Sequence, residues 1–236
     1  MWRYARGLAA TPDAAVPVSE ACDAVPYLPI QPESLGLELS ASARVLDVGC
    51  LGGYGMYDVA LRRRRAGLQV PAMMGLDIDP RSVQIGRDLA AVWAQGLSVE
   101  FIEARSDAMP FDDGVFDVVV GRLLLPYVPI RQTLSEVARV LKKGGLAYLQ
   151  LHSFLYYGRR LRDRIGTPAA ALYYLRPMIS GLWLAATGRQ MRHRWFRETA
   201  FTAGHLGRAC LATGLTCVWR SGFAQKPLRV FRKETP

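Results

Sequence analysis

Lysine and histidine are scarce in this 236-residue chain, with four Lys against 26 Arg and three His in all. The four cysteines, Cys22, Cys50, Cys210 and Cys217, are widely scattered, and no two form a C-x-x-C pair. That spacing excludes a zinc ribbon and a disulfide framework, and it predicts a reducing compartment and no metal. Long apolar runs are also missing. The N-terminal stretch MWRYARGLAATPDAAVPV has no signal-peptide core. The most apolar segment, Ala169 to Gly188, carries Arg176 near its centre and Pro177 beside it. A central Arg costs about 2.5–3.5 kcal/mol on insertion and a proline breaks a helix. The segment therefore predicts two short apolar helices rather than a membrane span, and a cytoplasmic location follows. Pro and Gly, at 14 and 22, are too few for a disordered chain, and 50% hydrophobic residues allow a large core.

The net charge of +10 is unevenly placed. Residues 1–118 carry 10 basic and 16 acidic side chains; residues 119–236 carry 20 and 4. The basic half raises a nucleic-acid reading. Against it, the excess of Arg over Lys is a skew that base composition alone can produce.

From Arg44 onward, short apolar strands alternate with helical patterns. Expected strands are Val45–Val48, Val70–Asp77, Val99–Glu103, Phe116–Val120, Leu146–Leu151, Leu215–Arg220 and Leu228–Arg232, the last two pairing antiparallel. Expected helices are Tyr57–Ala66, Pro80 to about Gly96, Ile130–Lys143 stopped by Gly144, and Thr202–Thr213. Arg62–Arg65 closes the first of these, where cations suit the helix dipole. The alternation predicts an α/β fold with a mostly parallel sheet and helices on both faces. Residues 1–40 read as an irregular arm with one short helix, and 41–236 as one domain. Within that domain, 153–197 interrupts the alternation.

The stretch VLDVGCLGGYG, Val45 to Gly55, carries the chemistry. A buried strand delivers Asp47 to a turn through Gly49, Gly52, Gly53 and Gly55. In open α/β sheets ligands bind at the strands' C-terminal ends, and glycines let backbone approach them closely. A G-x-G-x-x-G reading fails in every register, and no Gly-Lys-Ser/Thr follows. Asp77 ends the second strand and sets a second carboxylate at a strand tip. Asp77 and its neighbour Asp79 are equal candidates for the N-cap of the next helix.

This loop, MGLDIDP at 74–80, AMPFDDGVFDVVV at 108–120 and LSEVARVLKKGGLAYLQL at 134–151 occur in an order and spacing that resemble class I S-adenosylmethionine-dependent methyltransferases, of the type 11 kind. The resemblance implies a Rossmann-like seven-stranded fold with an antiparallel C-terminal strand. It also implies S-adenosylmethionine as cofactor. Asp47, Gly49, Gly52 and Gly53 would hold its methionine end and Asp77 its ribose. Ile78 would lie on one adenine face, and Ser106 or Asp107 would take the adenine amino group. Gly121, just past the fourth strand, joins the cofactor-facing set. Two positions depart from the family pattern: Leu51 replaces the middle glycine, and Arg105 stands where an Asp is common.

Amino-methylating nucleic-acid enzymes of this superfamily often carry Asn/Asp-Pro-Pro-Tyr after the fourth strand. GRLLL, Gly121 to Leu125, stands there instead, and nucleic acid is not the expected substrate. His152, past the fifth strand, is the candidate general base, and Tyr127 a residue to orient the acceptor. Segment 153–197 lies where small-molecule enzymes of the family place a substrate lid. Phe154, Tyr157, Leu161 and Ile165 recur at helical spacing, with Arg159, Arg160, Arg162 and Arg164 on the polar side. The expectation is a methyltransferase for a small apolar or amphiphilic metabolite, acting at O, C or N. It includes peripheral contact of the Arg-flanked segment with anionic membrane. The alternatives are an RNA methyltransferase and an inactive cofactor-binding regulatory domain.

Overall fold

The computed structural model describes residues 27–163, 168–222 and 227–234. Most of the N-terminal arm, Arg164 and Ile165 lie outside the described residues. Seven strands form one sheet: β1 (Arg44–Val48), β2 (Ala72–Asp77), β3 (Val99–Glu103), β4 (Phe116–Arg122), β5 (Leu141–Gln150), β6 (Leu215–Arg220) and β7 (Leu228–Lys233). Their order is β3-β2-β1-β4-β5-β7-β6, and only β7 runs against the rest. Among the described residues six α-helices accompany them: α1 (Tyr54–Arg65), α2 (Pro80–Trp93), α3 (Ile130–Val140), α4 (Phe154–Asp163), α5 (Pro168–Thr187) and α6 (Ala203–Leu211). This is the mostly parallel sheet that the alternation predicts, in the Rossmann-like methyltransferase topology that the resemblance implies.

Strand periodicity explains the two-sided core. Successive side chains of β4 alternate between faces. Val119 packs with Leu134 and Val137 of α3 and with Leu206 and Cys210 of α6. Val118 and Val120 pack with Met56, Val59 and Ala60 of α1 and with Val83 of α2. Because both faces are covered, β4 reads as an unbroken apolar run.

Three local expectations change. The helix after β4 ends at Val140 rather than Lys143, because β5 starts at Leu141, which pairs with Phe116. Gly144 then lies inside β5, at φ 77°. Arg63 does more than complement a dipole. It is buried, and its guanidinium donates to Glu33, the Gln69 carbonyl and the Leu39 carbonyl, fastening α1 to the arm. The segment after 168 is one 20-residue helix, with Pro177 inside it, rather than two. Proline removes one intrahelical bond. Packing offsets that loss: Pro177, Ser180 and Gly181 face inward, the Pro177 carbonyl accepts from Ala200 N at 2.9 Å, and Ser180 Oγ lies 2.9 Å from Thr199 Oγ1.

The strand order reverses between β1 and β4. At such a switch point open α/β sheets bind ligands in the crevice outside the C-terminal tips of the strands. Asp47, Asp77, Gly121 and His152 all stand at or just beyond those tips.

Candidate active site

Parallel pairing of β1 with β2 sets Asp47 opposite Gly75, so that Asp77 projects from the adjoining tip. The glycine turn is fastened between them. Gly49 N and Cys50 N both donate to the Leu76 carbonyl, at 2.7 and 3.1 Å, and Leu51 N donates to Asp77 Oδ2 at 2.9 Å. Asp79 N donates to Asp77 Oδ1 at 3.0 Å. The N-cap of α2 is Asp79, which accepts from Arg81 N, and Asp77 is left for the crevice.

The glycines are required by space as well as by backbone angle. Gly49 and Gly53 both have φ 75°. A Cβ on Gly53 would meet the Phe101 ring at 2.6 Å, and one on Gly52 would meet Ile85 at 2.9 Å. Gly53 caps α1 without a side-chain bond, so the cap residue takes up none of the first helical N–H groups. Leu51 takes the place of the missing glycine by adopting φ 52° itself, with its side chain 51% exposed. The turn is thereby kept.

Asp47 is 1% exposed. One carboxylate oxygen, Oδ1, accepts from the Tyr27 hydroxyl; the other, Oδ2, is buried without a partner among the described residues. Burial raises its pKa to about 7; the Tyr27 hydroxyl and the Arg122 charge oppose the rise, and the Asp77 charge adds to it. Tyr27 is the arm's contribution. Its ring lies where a side chain on Gly55 would collide with it, and the Arg122 guanidinium stacks 4.9 Å from its centre. Burial, and then the Asp47 charge, raises the Tyr27 phenol well above the usual range and keeps it a donor. Arg122 is oriented by Gln150, whose Oε1 accepts from its Nε at 2.8 Å.

The remaining cofactor-side candidates divide. Ile78 is 63% exposed beside Asp77, a bare apolar surface at the crevice. Gly121 lies in β4, where a Cβ would press on Leu149 at 3.3 Å. Ser106 is buried with its hydroxyl 3.1 Å from that of Thr133. Asp107 is paired with Arg105 at 2.7 Å, and that bond holds its carboxyl below the usual range.

On the acceptor side, His152 is buried against aromatic rings. It stacks on Tyr156 with centroids 4.1 Å apart and meets the Tyr157 ring edge-on at 5.8 Å. Tyr127 stands after β4, 46% exposed. Burial, then the Glu198 charge, raises its phenol pKa. Glu198 is thus the residue that links Tyr127 to the rest. Its Oε2 accepts from the Tyr157 hydroxyl at 2.9 Å and its Oε1 from Tyr173 at 3.2 Å. Among the described residues it forms no ion pair, although nine Arg lie between 159 and 197. Sequence reasoning missed Glu198, Tyr27 and Arg122. The first two are brought in from distant chain segments. A rare acid directly after the Arg-rich stretch was the one available signal for Glu198.

The residues present fit S-adenosylmethionine: a polar atom of Asp47 left open in a turn shaped by absent side chains, a second carboxylate at the next tip, and an apolar face beside it. The fold that carries this pair of tips is the Rossmann-like methyltransferase fold. Residues 46–149 match the family described as Methyltransferase domain. Similar curated proteins include the sterol 4-C-methyltransferase strm-1 of Caenorhabditis elegans, 33% identical over 46% of this chain and 31% of its own length. The ubiquinone/menaquinone biosynthesis C-methyltransferase UbiE of Geobacter sulfurreducens is 35% identical over 61% of this chain and 54% of its own. The chain thus spans about half, or less, of these relatives. Among solved structures, the methyltransferase in complex with the Trm112 activator from Haloferax volcanii aligns with TM-score 0.60 at 19% identity, covering 94% of this chain and 96% of the other. That likeness is one of fold.

Proposed function

We propose that this chain transfers a methyl group from S-adenosylmethionine to a small amphiphilic acceptor, held between the strand tips and segment 153–197, which acts as a lid on the domain of residues 41–236. The observation that carries the reading is Asp47 Oδ2, without a partner among the described residues and buried beside a glycine turn with Asp77 at the adjoining tip. When bound, the cofactor supplies the electrophilic methyl group; the protein supplies alignment and dryness. Alignment alone removes about 7–11 kcal/mol of barrier in favourable cases.

In this reading Asp77 holds the ribose hydroxyls through the lone pairs that Leu51 N and Asp79 N leave open. Ile78 covers one face of the adenine, Ser106 or Asp107 receives its amino group, and Asp47 with Gly49, Gly52, Gly53 and Gly121 surrounds the methionine end. The stacked ring of His152 is held at the mouth of β5, where it accepts a proton from an acidic acceptor atom. Tyr127, Tyr157 and Glu198 orient that acceptor. The names of the sterol and quinone C-methyltransferases among the relatives support an amphiphilic acceptor.

Isothermal titration with S-adenosylmethionine and S-adenosylhomocysteine tests the cofactor half, with Asp77→Ala as control. Micromolar binding that falls at least tenfold in the variant is expected. Absence of binding to either nucleoside ends the proposal. S-Adenosylhomocysteine release with sterol, quinol and phenol acceptors tests the transfer half.

A further inference from the structure

Helix α5 is turned inside out for a helix of a globular domain. Its packed side is small and polar: Ser180 and Gly181 are buried, and a Cβ on Gly181 would collide with the Ala200 carbonyl. Leu184 packs against the core, but most of its large apolar side chains face outward. Leu172, Leu175, Ile179, Leu182 and Trp183 are each between 40% and 61% exposed. At 3.6 residues per turn these five occupy one arc of about 100°, with no charged residue inside it. Isolated exposed leucines need no explanation, whereas a contiguous apolar helix face does. The segment that contains the face is strongly cationic in sequence: residues 159–197 hold nine Arg and one acid, Asp163. Arg176, at the edge of the arc, lies 4.8 Å over the ring of Trp195, itself half-exposed, and Arg194 lies 5.6 Å from the same ring.

We propose that the outward face of α5 docks on the surface of an anionic lipid bilayer. The five apolar side chains would enter the acyl boundary, and Trp195 with the surrounding Arg residues would sit among the phosphates. An apolar arc rimmed by Arg, with Trp at the boundary, is the arrangement that holds a helix in the plane of an interface. Charge complementarity selects the occupant. A second copy of this chain would bring another nine Arg against the first set, whereas anionic headgroups attract both Arg and apolar face together. No described helix is long and apolar enough to cross a membrane, so the contact is peripheral for these elements. The inference stands on the surface alone and does not depend on the transfer reaction.

Co-sedimentation of the full chain with phosphatidylcholine vesicles, with and without about 30% phosphatidylglycerol, tests it. Binding to the anionic vesicles at low salt is expected, with at least fivefold less on pure phosphatidylcholine and in about 0.5 M NaCl. The double variant Ile179→Glu, Leu182→Glu changes only exposed positions. It should lose at least tenfold in vesicle binding while keeping the wild-type melting temperature. No binding to anionic vesicles at low salt overturns the proposal, as does equal binding to neutral ones. It is also overturned by a dimer in light scattering that the double variant dissolves, because the face then belongs to a second copy.

Discussion

Acidification should weaken cofactor binding through one group, Asp47. Burial raises its pKa to about 7, against an ordinary value of 3.8. In the ligand-free protein it is therefore half protonated near neutrality. The groups facing it are the Tyr27 hydroxyl, the Arg122 guanidinium, the Asp77 carboxylate and the Cys50 thiol. A ligand whose positive groups approach Asp47 needs it ionised, so below about pH 7 binding must first remove a proton. The expected slope is about tenfold in Kd per pH unit, reaching about a hundredfold at pH 5 and flattening above pH 8. Stability runs the opposite way. A carboxyl whose folded pKa is raised favours the folded state fully below pH 3.8, and that contribution is lost as pH rises through 7. A shift of this size corresponds to roughly 4 kcal/mol. The ligand-induced rise in melting temperature should accordingly shrink between pH 8 and pH 5. Tyr27→Phe removes a hydrogen bond that favours the carboxylate and should move the midpoint upward; Asp47→Asn should abolish the slope. Titration with S-adenosylhomocysteine across this range reads all three. An affinity flat from pH 5 to pH 8, or a midpoint unmoved by Tyr27→Phe, would refute the reasoning.

Three further outcomes are expected. A leucine at φ 52° costs about 1–2 kcal/mol, partly offset by the extra unfolded-chain entropy of glycine. Leu51→Gly should therefore leave the melting temperature unchanged or slightly raised and cofactor affinity undiminished; a clear drop in thermal unfolding would mean that the leucine packs. Gly181→Ala forces α5 off Ala200 and Phe154, at a cost of about 1–3 kcal/mol that a denaturant titration will register. Glu198→Gln leaves a single acceptor oxygen for two phenols and should lower kcat/KM about tenfold, with cofactor Kd unchanged. A parallel loss of cofactor affinity would move Glu198 out of the acceptor side.

The strands were legible because their signal is local. Val99–Glu103 and Leu215–Arg220 carry their own bounds in composition and turns, and the structure keeps those bounds. Boundaries failed where a partner decided them. The end of α3 depends on Leu141 pairing with Phe116, and the single helix α5 survives Pro177 because residues 199–200 take up its inner face. Arg63 resembled its three neighbours in sequence, yet it alone is buried, since rotation of α1 aims it at Glu33 and Leu39.

The chain by itself determined the alternation of strand and helix, the acid at each of two tips and the glycine turn beside the first, because each is written in contiguous residues whose steric and hydrogen-bonding needs are short-ranged. Tertiary structure alone decided that Tyr27 meets Asp47 and that Tyr157 and Tyr173 converge on Glu198. It alone decided which side of α5 faces out. Those contacts join residues 20, 41 and 25 positions apart, or follow from the rotation of a whole helix. Packing settles such features, and local propensity carries no information about them.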